Sequence, residues 1–578
     1  MSPTTTAPKA LSVSAVHPAQ GPIRRLIALF SAERRDIALV ILFSVAVGIL
    51  TLATPITVQA LVNFVSFGGY LQPLVILAIL LFGFLAMAGA IRTLQTYIIE
   101  ILQRRLFVRV VADLSDRLPR VRAECYDRQN GPELVNRFFD IVTVQKVAAM
   151  LLLDGATVLL QALVGLLILA FYHPFLLAFD ATLILAVGFV VVVLGRGAIP
   201  TAINESKAKY AVAAALEEMA RHPLVFKLAG AADFGRHRAD LLTVEYVRSR
   251  QRHFAIVLRQ IIGFISLQVL AATALLTLGG WLVLEGQLTL GQLVAAELIV
   301  SGVLASLFKF GKQFESVYDL LAAVDKLGHL MDLPLERDEG RHHTAQSPGM
   351  ALEMRQVSFT FDGHKPVLDG LNLSVASGER VCIVGGHGTG KSVLTELAIG
   401  LRAPSAGRIS LDGVDLREMS LKSIREHVAV VQGVGTIEGS LEENIRMGRE
   451  DVTHAEIRSA LADVGLLDEI RDMPDGLSMS LTTSGSPLSA GQAMRLMIAR
   501  ALVGRPRVLI LDDVLDDLDN EARDAVLTAI LDPNRQWTVI ILGRRTLAHK
   551  GLGRNIHLRD AGGDSVAMKP APAIGARS

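Results

Sequence analysis

The segment VCIVGGHGTGKS, at positions 381–392, has the residue types and spacing of a phosphate-binding loop. It matches the pattern G-x-x-x-x-G-K-[ST] and lies between an apolar run and a helical stretch. Glycines let backbone N–H groups surround phosphate oxygens, the lysine amine reaches the outer phosphates, and the serine hydroxyl ligates Mg²⁺. The sequence therefore predicts a nucleotide site formed by Gly385, Gly386, His387, Gly388, Thr389, Gly390, Lys391 and Ser392.

A second candidate segment, VLILDD at positions 508–513, follows this loop by about 120 residues. Its four apolar residues predict a buried strand, and Asp512 stands at the end of that strand, where a carboxylate can ligate Mg²⁺. The pattern is weak by itself, but its distance from the phosphate-binding loop makes it a convincing partner. Together the two segments predict one site for a nucleotide and Mg²⁺.

Both segments lie within positions 349–560, which alternate short β-branched runs with helical stretches. This alternation predicts an α/β domain. A charged linker is expected at 332–348, and a tail without fixed structure at each end, 1–21 and 561–578. The two cysteines exclude a disulfide framework, and the net charge of +1 gives no indication of a nucleic-acid partner.

Three long blocks ahead of the α/β domain are nearly free of charge. Positions 37–91 contain no Asp, Glu, Lys or Arg, and 147–195 and 260–308 contain two acidic residues each. Because a membrane-spanning helix needs about 20 apolar residues, each block has room for two. Positions 22–331 are therefore expected to form a transmembrane domain, with spans near 37–57, 74–97, 147–171, 175–195, 260–283 and 291–311.

The distribution of lysine and arginine predicts the orientation of these spans. The connections at 92–146 and 196–259 contain ten and eleven such residues, whereas those at 58–73, 172–174 and 284–290 contain none. Positive residues concentrate on the cytoplasmic side of a membrane. We therefore expect an inner- or plasma-membrane protein whose N-terminus, long helical connections and α/β domain are cytoplasmic.

The pentapeptide LSAGQ, at positions 488–492, lies between the two nucleotide segments. With this motif the chain resembles an ABC transporter half of the type I exporter fold, over about residues 22–560. The resemblance implies an all-α six-span transmembrane domain fused to an α/β P-loop ATP-binding cassette domain, with ATP and Mg²⁺ as ligands. In this family each ATP lies between two such domains, so the signature residues would contact the partner's ATP: Leu488, Ser489, Ala490, Gly491 and Gln492.

Three further positions take their roles from this resemblance. Phe361, in VSFTFDG, would stack on adenine, and Asp519, in DDLD, would be the D-loop aspartate. Gln432, in VAVVQG, would contact Mg²⁺ and relay its state to the membrane domain. The tips near 124–137 and 215–228 would be the coupling helices.

Three positions depart from the family pattern. Asp513 stands where the family has a glutamate general base, so its carboxylate is one methylene shorter. Arg544 replaces the switch histidine and cannot accept a proton, although it can neutralise phosphate charge. TTSG, at 482–485, replaces a Glu-Arg-Gly pattern that senses the partner domain. The candidate catalytic residues are therefore Asp513, Gln432 and Arg544, and the candidate metal ligands are Ser392, Gln432 and Asp512.

These departures leave the assembly and the function open. The chain would form either a heterodimer with a related half, contributing a weakened hydrolytic site, or a homodimer with two slow sites. Passages at 217–231 and 279–299 resemble the peptide- and protein-exporting branch, with no peptidase domain expected. The expected function is ATP-driven export of a peptide or other amphipathic substrate, with membrane lipid and accessory secretion proteins as further partners. The alternative is a non-transporting, ATP-binding regulatory or scaffold subunit of a secretion assembly.

Ionisable side chains within the spans are costly and are therefore candidates for function. Glu297, in the sixth span, is the candidate for the substrate path, where it would meet a cationic or polar group. A structural pair with another helix is an equal alternative for Glu297. Arg92, Asp154 and Asp180 lie nearer the span ends, and we expect them to form such pairs or to reach the membrane interface.

Overall fold

The computed structural model describes residues 21–66, 71–127, 131–228, 230–344, 347–361 and 365–558, without the side chains of 71, 132–133 and 304–314. The predicted tails at 1–21 and 561–578 lie outside these ranges, except for Gly21. The chain divides into two compact units. One is Met1–Val121 with Cys125–Pro334, and the other is Arg122–Glu124 with Leu335–Ser578.

The first unit is helical. Two of its long helices follow a glycine in the left-handed conformation, Gly197 (φ +89°) and Gly230 (φ +78°), where a side chain would be strained. π-helical turns at Leu151–Gly155 and Phe189–Leu194 interrupt the third and fourth spans. The helices are α1 (Pro22–Phe30), α2 (Arg34–Thr51), α3 (Ala53–Ser66), α4 (Leu71–Arg117), α5 (Gly131–Asn136), α6 (Asp140–Met150), α7 (Ala156–Tyr172), α8 (Pro174–Gly188), α9 (Ala198–Arg221), α10 (Pro223–Lys227), α11 (Ala231–Leu284) and α12 (Leu290–Met331).

Most of the predicted spans lie within helical stretches long and apolar enough to cross a membrane. Within the described residues there are five such stretches: Pro22–Ser66, Gln72–Arg120, Leu134–Tyr172, Pro174–Leu194 and Ala231–Leu284. They contain the first five predicted spans to within one residue. The sixth falls in α12, whose apolar part among the searched residues, Leu290–Val303, is shorter. The helical, multi-pass character of this unit agrees with the prediction.

The amphipathic helix α1 is held by a buried cation. Ile23 and Ile27 of this helix are exposed, whereas Arg25 is buried. The Arg25 guanidinium pairs with Asp332 Oδ2 at 2.7 Å and with Asp325 Oδ1 at 3.2 Å. A buried charge is stable only when it is paired, so these contacts fix α1 against the C-terminal end of α12.

A second buried cation lies in α12, well beyond its apolar segment. Lys326 Nζ donates to the Ser206 carbonyl of α9 at 3.0 Å and lies 3.4 Å from the centroid of the Tyr210 ring. Burial lowers the pKa of Lys326 to about 7, against the opposing effect of the Asp140 carboxylate. Burial also raises the pKa of Asp140, at the start of α6. Polar contacts thus join α6, α9 and α12 outside the predicted spans.

The second unit combines strands and helices, as the alternating pattern predicts. Its strands are β1 (Leu352–Thr360), β2 (Pro366–Val375), β3 (Arg380–Val384), β4 (Ala406–Leu411), β5 (Val414–Asp415), β6 (Val428–Gln432), β7 (Gly439–Ser440), β8 (Ser480–Leu481), β9 (Val508–Asp512), β10 (Thr538–Gly543) and β11 (Arg554–His557). Its helices are α13 (Lys391–Ala398), α14 (Leu421–His427), α15 (Leu441–Arg446), α16 (His454–Asp463), α17 (Leu467–Arg471), α18 (Ala490–Val503) and α19 (Asn520–Ile530).

Two main sheets organise this unit. One is antiparallel, in the order β2-β1-β4-β5, and the other is parallel, in the order β11-β3-β10-β9-β6. Strand β9 is buried throughout, because Leu509 and Leu511 face a core with α16, α18 and α19, and Val508 and Ile510 face a core with α13 and the antiparallel sheet. Parallel sheets need both faces covered in this way. The predicted fold class, a helical membrane domain fused to an α/β domain, is confirmed.

Candidate functional site

The predicted nucleotide residues meet at one edge of the parallel sheet. Strands β3, β10, β9 and β6 run in the same direction, and Val384, Gly543, Asp512 and Gln432 stand at their carboxyl ends. Gln432 is paired directly with Asp512 across β6 and β9. In α/β folds, ligands bind outside the carboxyl ends of parallel strands. This edge also receives Arg544, the first residue after β10.

The phosphate-binding loop joins β3 to α13. Gly388 (φ +80°) and Gly390 (φ +89°) are in left-handed conformations that only glycine adopts readily. Lys391 is buried at the start of α13, and its Nζ donates to the carbonyls of Gly385 at 2.8 Å and Gly386 at 3.0 Å. The N-terminus of a helix attracts anions through its free N–H groups and its dipole. The loop is therefore arranged to bind phosphate. On binding, the lysine amine would leave the two carbonyl oxygens and donate to the phosphate instead.

The remaining loop residues differ in exposure. His387 and Ser392 are exposed, so the Ser392 hydroxyl is accessible to a ligand. Thr389 is buried, and its Oγ1 donates to the Gly386 carbonyl at 3.0 Å, which closes the loop on itself. The predicted phosphate site is thus one continuous loop in which the side chains of His387 and Ser392 are exposed.

Asp512 is an enclosed anion. It is 4 % exposed, and neither carboxylate oxygen has a partner of ordinary hydrogen-bond geometry among the described residues. Burial raises the pKa of Asp512, against the smaller opposing effect of the nearby Ser392 hydroxyl. Such a carboxylate fits a bound cation, and carboxylate, hydroxyl and amide oxygens suit Mg²⁺. In the described part of the chain no cluster of three His, Cys, Asp or Glu could hold a metal alone, so phosphate oxygens would complete the site.

Asp513 and Arg544 line a common cleft of about 400 Å³ beside this edge. Asp513 has a left-handed backbone (φ +53°), and its Oδ2 lies 3.7 Å from Lys391 Nζ. Its other oxygen, Oδ1, is enclosed and lacks a hydrogen-bond partner within the described ranges. The Arg544 side chain is exposed. The short carboxylate of Asp513 and the long, exposed guanidinium side chain of Arg544 therefore face the space where the terminal phosphate would lie.

The predicted adenine platform already carries a cation on one face. Phe361 follows β1 and packs edge-to-face against Phe359 at 5.0 Å. The guanidinium carbon of Arg402 lies over the Phe361 ring at 5.0 Å, and Arg402 also pairs with Glu396 Oε2 at 2.5 Å. Arg402 therefore occupies one face of the ring on which adenine is expected to stack. The motif pattern did not identify Arg402, which is 41 residues away in the chain.

The signature motif forms the N-terminus of α18. Ser489 is the N-cap: its hydroxyl accepts from Gln492 N–H at 3.2 Å, while Gln492 Oε1 accepts from Ser489 N–H at 2.8 Å. This reciprocal arrangement is a capping box, which the S-x-x-Q spacing favours. Ser489 and Ala490 are exposed, Leu488 and Gly491 are half-buried, and the space beside the Gly491 Cα is open. The motif thus presents a helix N-terminus to its surroundings.

A residue that the sequence did not single out holds this motif. Glu469 of α17 accepts from Gln492 Nε2 at 2.7 Å through Oε2 and pairs with Arg495 at 2.7 Å through Oε1. The Arg495 guanidinium lowers the pKa of Glu469. Glu469 therefore fixes the glutamine side chain that completes the capping box.

The D-loop and the TTSG segment have defined local roles. Asp519 is the exposed N-cap of α19, with its Oδ1 accepting from Ala522 N–H at 2.8 Å. Thr436, which follows Gln432 by four residues, donates to the carbonyls of Thr482 at 2.9 Å and Thr483 at 3.1 Å. TTSG is thus joined to the segment after β6. Whether it senses a partner domain stays a prediction.

The charges within the spans have different surroundings. Arg92 pairs with Asp154 at 2.8 Å, as expected for a structural pair between helices. Asp180 is 3 % exposed, and neither of its oxygens has a hydrogen-bond partner in the described part of the chain, so the expected pairing is not found there. Glu297 accepts from the Ser301 hydroxyl at 3.2 Å through Oε1, while its Oε2 is enclosed and lacks such a partner among the described residues.

Two family models match the chain. The model described as "ABC transporter transmembrane region" matches residues 37–307, and the model described as "ABC transporter" matches residues 368–516. The first extends from the start of α2 to the early part of α12, and the second extends from β2, ahead of the phosphate-binding loop, to just past Asp513.

Individual proteins extend this similarity. An ATP-dependent lipid A-core flippase of Thiobacillus denitrificans is 29 % identical over 81 % of this chain and 81 % of its own length. The uncharacterized ABC transporter ATP-binding protein YwjA of Bacillus subtilis is 32 % identical over 49 % of this chain, and the match spans half of that protein. The structure of a bacterial Atm1-family ABC exporter with ATP bound superimposes with a TM-score of 0.81 at 21 % identity, over 91 % of this chain and 93 % of that one. This last likeness concerns the fold.

Proposed function

Because the chain belongs to the ABC transporter family, as a half-transporter with a transmembrane region and an ATPase domain, we propose that it is a subunit of an ATP-driven exporter of an amphipathic, lipid-like substrate. The observation that carries the proposal is the convergence of the phosphate-binding loop, Asp512 and Gln432 at one sheet edge. That edge belongs to the same polypeptide as the five membrane-length apolar stretches found among the described residues.

The ATP site would work through residues already in place. Loop N–H groups and Lys391 would bind the phosphates, once the lysine amine leaves the carbonyls of Gly385 and Gly386. Asp512, Ser392 and Gln432 would hold Mg²⁺, which when bound neutralises charge on the outer phosphates. Asp513 would orient water through the enclosed Oδ1, with Arg544 stabilising negative charge from the same cleft.

The proposed assembly is a dimer of halves. The exposed helix N-terminus at Ser489 is suited to bind the phosphate of an ATP molecule that is held by another domain. We infer that a partner supplies that phosphate, and that the partner is either a second copy or a related half. The departures at Asp513 and Arg544 favour the related half, whereas the presence of both a phosphate-binding loop and a signature motif in one chain favours the second copy.

A mixing experiment separates the two assemblies. Lys391→Ala chains and Ser489→Ala chains, each inactive alone, are purified, mixed in equal amounts and reconstituted. If the chain forms homodimers, half of the dimers in the mixture contain one chain of each variant. Each such dimer has one intact site out of two, formed by the unchanged Lys391 of one chain and the unchanged Ser489 of the other. About a quarter of wild-type turnover should therefore return. Turnover no higher than that of either variant alone would exclude a homodimer with composite sites.

The substrate class is proposed from two sources. The passages at 217–231 and 279–299 resemble peptide exporters, while a similar protein is named as a lipid A-core flippase. Both kinds of substrate are amphipathic, and a lipid would enter from the bilayer that surrounds the apolar helices. We therefore place lipid-like amphiphiles first and peptides second. The cytoplasmic position of the ATPase domain is proposed from the lysine and arginine distribution.

A second candidate function is an ATP-binding subunit that does not transport. The short carboxylate of Asp513 and the Arg544 side chain, which cannot accept a proton, favour it. Such a subunit would bind ATP with little turnover and would regulate or scaffold a secretion assembly.

Turnover of the full chain in lipid nanodiscs distinguishes these functions. The exporter should hydrolyse ATP, respond to added amphiphile, and lose turnover on Lys391→Ala. Lys422→Ala, which removes an exposed lysine of the same domain, should leave turnover unchanged. Tight ATP binding with no turnover in any lipid, and no change on Asp513→Glu, would contradict the exporter and support the regulatory subunit.

A further inference from the structure

One carboxylate of the membrane domain lines an apolar groove between α7 and α8. The groove has a volume of about 510 Å³ and is lined mainly by leucine, alanine, isoleucine and valine, with Val303 of α12 at its side. Asp180 is the charged residue in this lining. We call it the Asp180 groove. Ligand sites in proteins have this size and this character, a mainly apolar wall with few polar groups.

Asp180 has nothing to balance its charge within the described residues. The side chain is 3 % exposed, and both of its oxygens are enclosed without a hydrogen-bond partner there. By contrast, Arg92, a cation of the predicted spans, is already paired with Asp154 at 2.8 Å. An ionised carboxylate in an apolar surrounding is unstable unless a cation joins it.

The rest of the groove fits a hydrocarbon chain. Leu163 and Leu167 of α7 and Ile184 of α8 are each more than half exposed, so their side chains present apolar surface to a ligand. Asp180 lies six residues into α8, about 9 Å from its N-terminal end. A single-chain amphiphile with its charged group at Asp180 would therefore lay its chain along the remaining turns of the helix, towards Val187 and Val303.

We propose that the Asp180 groove binds an amphiphile with a protonated amine, whose nitrogen pairs with the Asp180 carboxylate and whose chain lies between α7 and α8. This deepens the proposed exporter function by naming a substrate class, a cationic lipid-like molecule. The binding itself does not require ATP turnover. The wall of the groove excludes a purely polar cation, and the enclosed carboxylate excludes an anionic lipid.

The test measures binding to the full chain in detergent micelles by native mass spectrometry. The probes are hexadecylamine, hexadecanol and palmitate, which share a chain and differ in charge. Hexadecylamine should bind as one molecule per chain, and Asp180→Asn should weaken it about 30-fold or more. The other two probes should bind weakly to both proteins. Equal binding of hexadecanol and hexadecylamine, or unchanged amine binding in Asp180→Asn, would overturn the proposal.

Further variants keep the test decisive if Asp180→Asn folds poorly. Ala162→Leu fills the groove from α7 and keeps the Asp180 carboxylate, so it should also weaken amine binding. Its control, Ala90→Leu, lies on an exposed face of α4 outside the groove and should leave amine binding unchanged. Lys391→Ala should retain amine binding while losing turnover, so the failure of the exporter function and the failure of the groove are distinguishable.

Discussion

Lengthening one side chain should raise ATP turnover. Asp513 stands after β9, and its Oδ2 is 3.7 Å from the phosphate-loop lysine, Lys391. Its Oδ1 is enclosed within the described residues and has no hydrogen-bond partner there. Asp513→Glu adds one carbon–carbon bond, about 1.5 Å, between backbone and carboxylate. This moves the carboxylate outward into the cleft that Arg544 shares.

The magnitude follows from that displacement. A general base contributes about 10²- to 10⁴-fold to a rate, and a misplacement of about 1 Å can cost about 10²-fold. Asp513→Glu should therefore increase kcat about 10²-fold, which is about 2.7 kcal/mol of activation free energy. Asp513→Asn should lower kcat below the wild-type value, because it removes the remaining base. The left-handed backbone at this position (φ +53°) should make the variant less stable by about 1 kcal/mol, a cost that the ground and transition states share and that leaves the expected rate gain unchanged.

Single-turnover hydrolysis by the full chain in nanodiscs measures this change apart from product release. Asp517→Glu, an exposed residue four positions later, is the matched control and should leave the rate unchanged. Combining Asp513→Glu with Arg544→His should increase the rate further if the cleft acts as a unit. A wild-type rate in Asp513→Glu, with ATP affinity unaltered, would refute the reasoning that carboxylate reach limits hydrolysis.

Three further substitutions test other parts of the structure by thermal unfolding in detergent micelles. Ser489→Ala removes the N-cap oxygen of α18 and should cost about 1 kcal/mol of stability; an unchanged unfolding temperature would contradict the capping role. Arg25→Ala removes the buried cation that pairs with Asp332 and Asp325 and should cost about 3 kcal/mol, whereas Arg24→Ala, at an exposed position, should cost little. The pKa of Lys326 is about 7 in the folded chain and 10.5 ordinarily, so between these pH values the unfolded chain binds more protons than the folded chain. The free energy of unfolding should therefore rise with pH over this range, and Lys326→Met should remove that rise.

Local sequence determined the features that could be predicted. The phosphate-binding loop follows from glycines whose left-handed backbone the structure contains at Gly388 and Gly390. The convergence of Asp512, Gln432 and Arg544 follows from the rule that parallel strands align their carboxyl ends. The membrane-length helices follow from composition alone, because the hydrocarbon thickness sets their length.

Contacts between distant residues could not be predicted in the same way. Glu469 meets Gln492 across 23 residues, and Arg402 covers Phe361 across 41, with no periodic pattern to join either pair. Each partner is an ordinary charged residue whose effect depends on where the chain folds back. Such residues modify a predicted site, by fixing the signature glutamine or by occupying one face of the adenine platform, without changing its location.

The charges within the membrane spans illustrate the same limit. Arg92 and Asp154 are 62 residues apart and pair, whereas Asp180 has no partner of this kind among the described residues. From the sequence these residues were equivalent, since each lies near the end of a span. Pairing depends on the rotation of each helix, and rotation is set by packing against its neighbours rather than by the apolar pattern of one span.

An enclosed carboxylate occurs at two places in the described part of this chain, and the groups around each one determine which ligand it could bind. Asp512 and Asp180 are both carboxylates enclosed without a hydrogen-bond partner of ordinary geometry in the described residues. Around Asp512 lie a hydroxyl and an amide, which can ligate Mg²⁺ together with phosphate oxygens, and a lysine amine, which can bind the phosphate itself. Around Asp180 lie aliphatic side chains, which can accept only a cation that brings its own apolar surface. Asp512 therefore fits the proposed ATP and Mg²⁺ site, whereas Asp180 fits the proposed site for a cationic amphiphile.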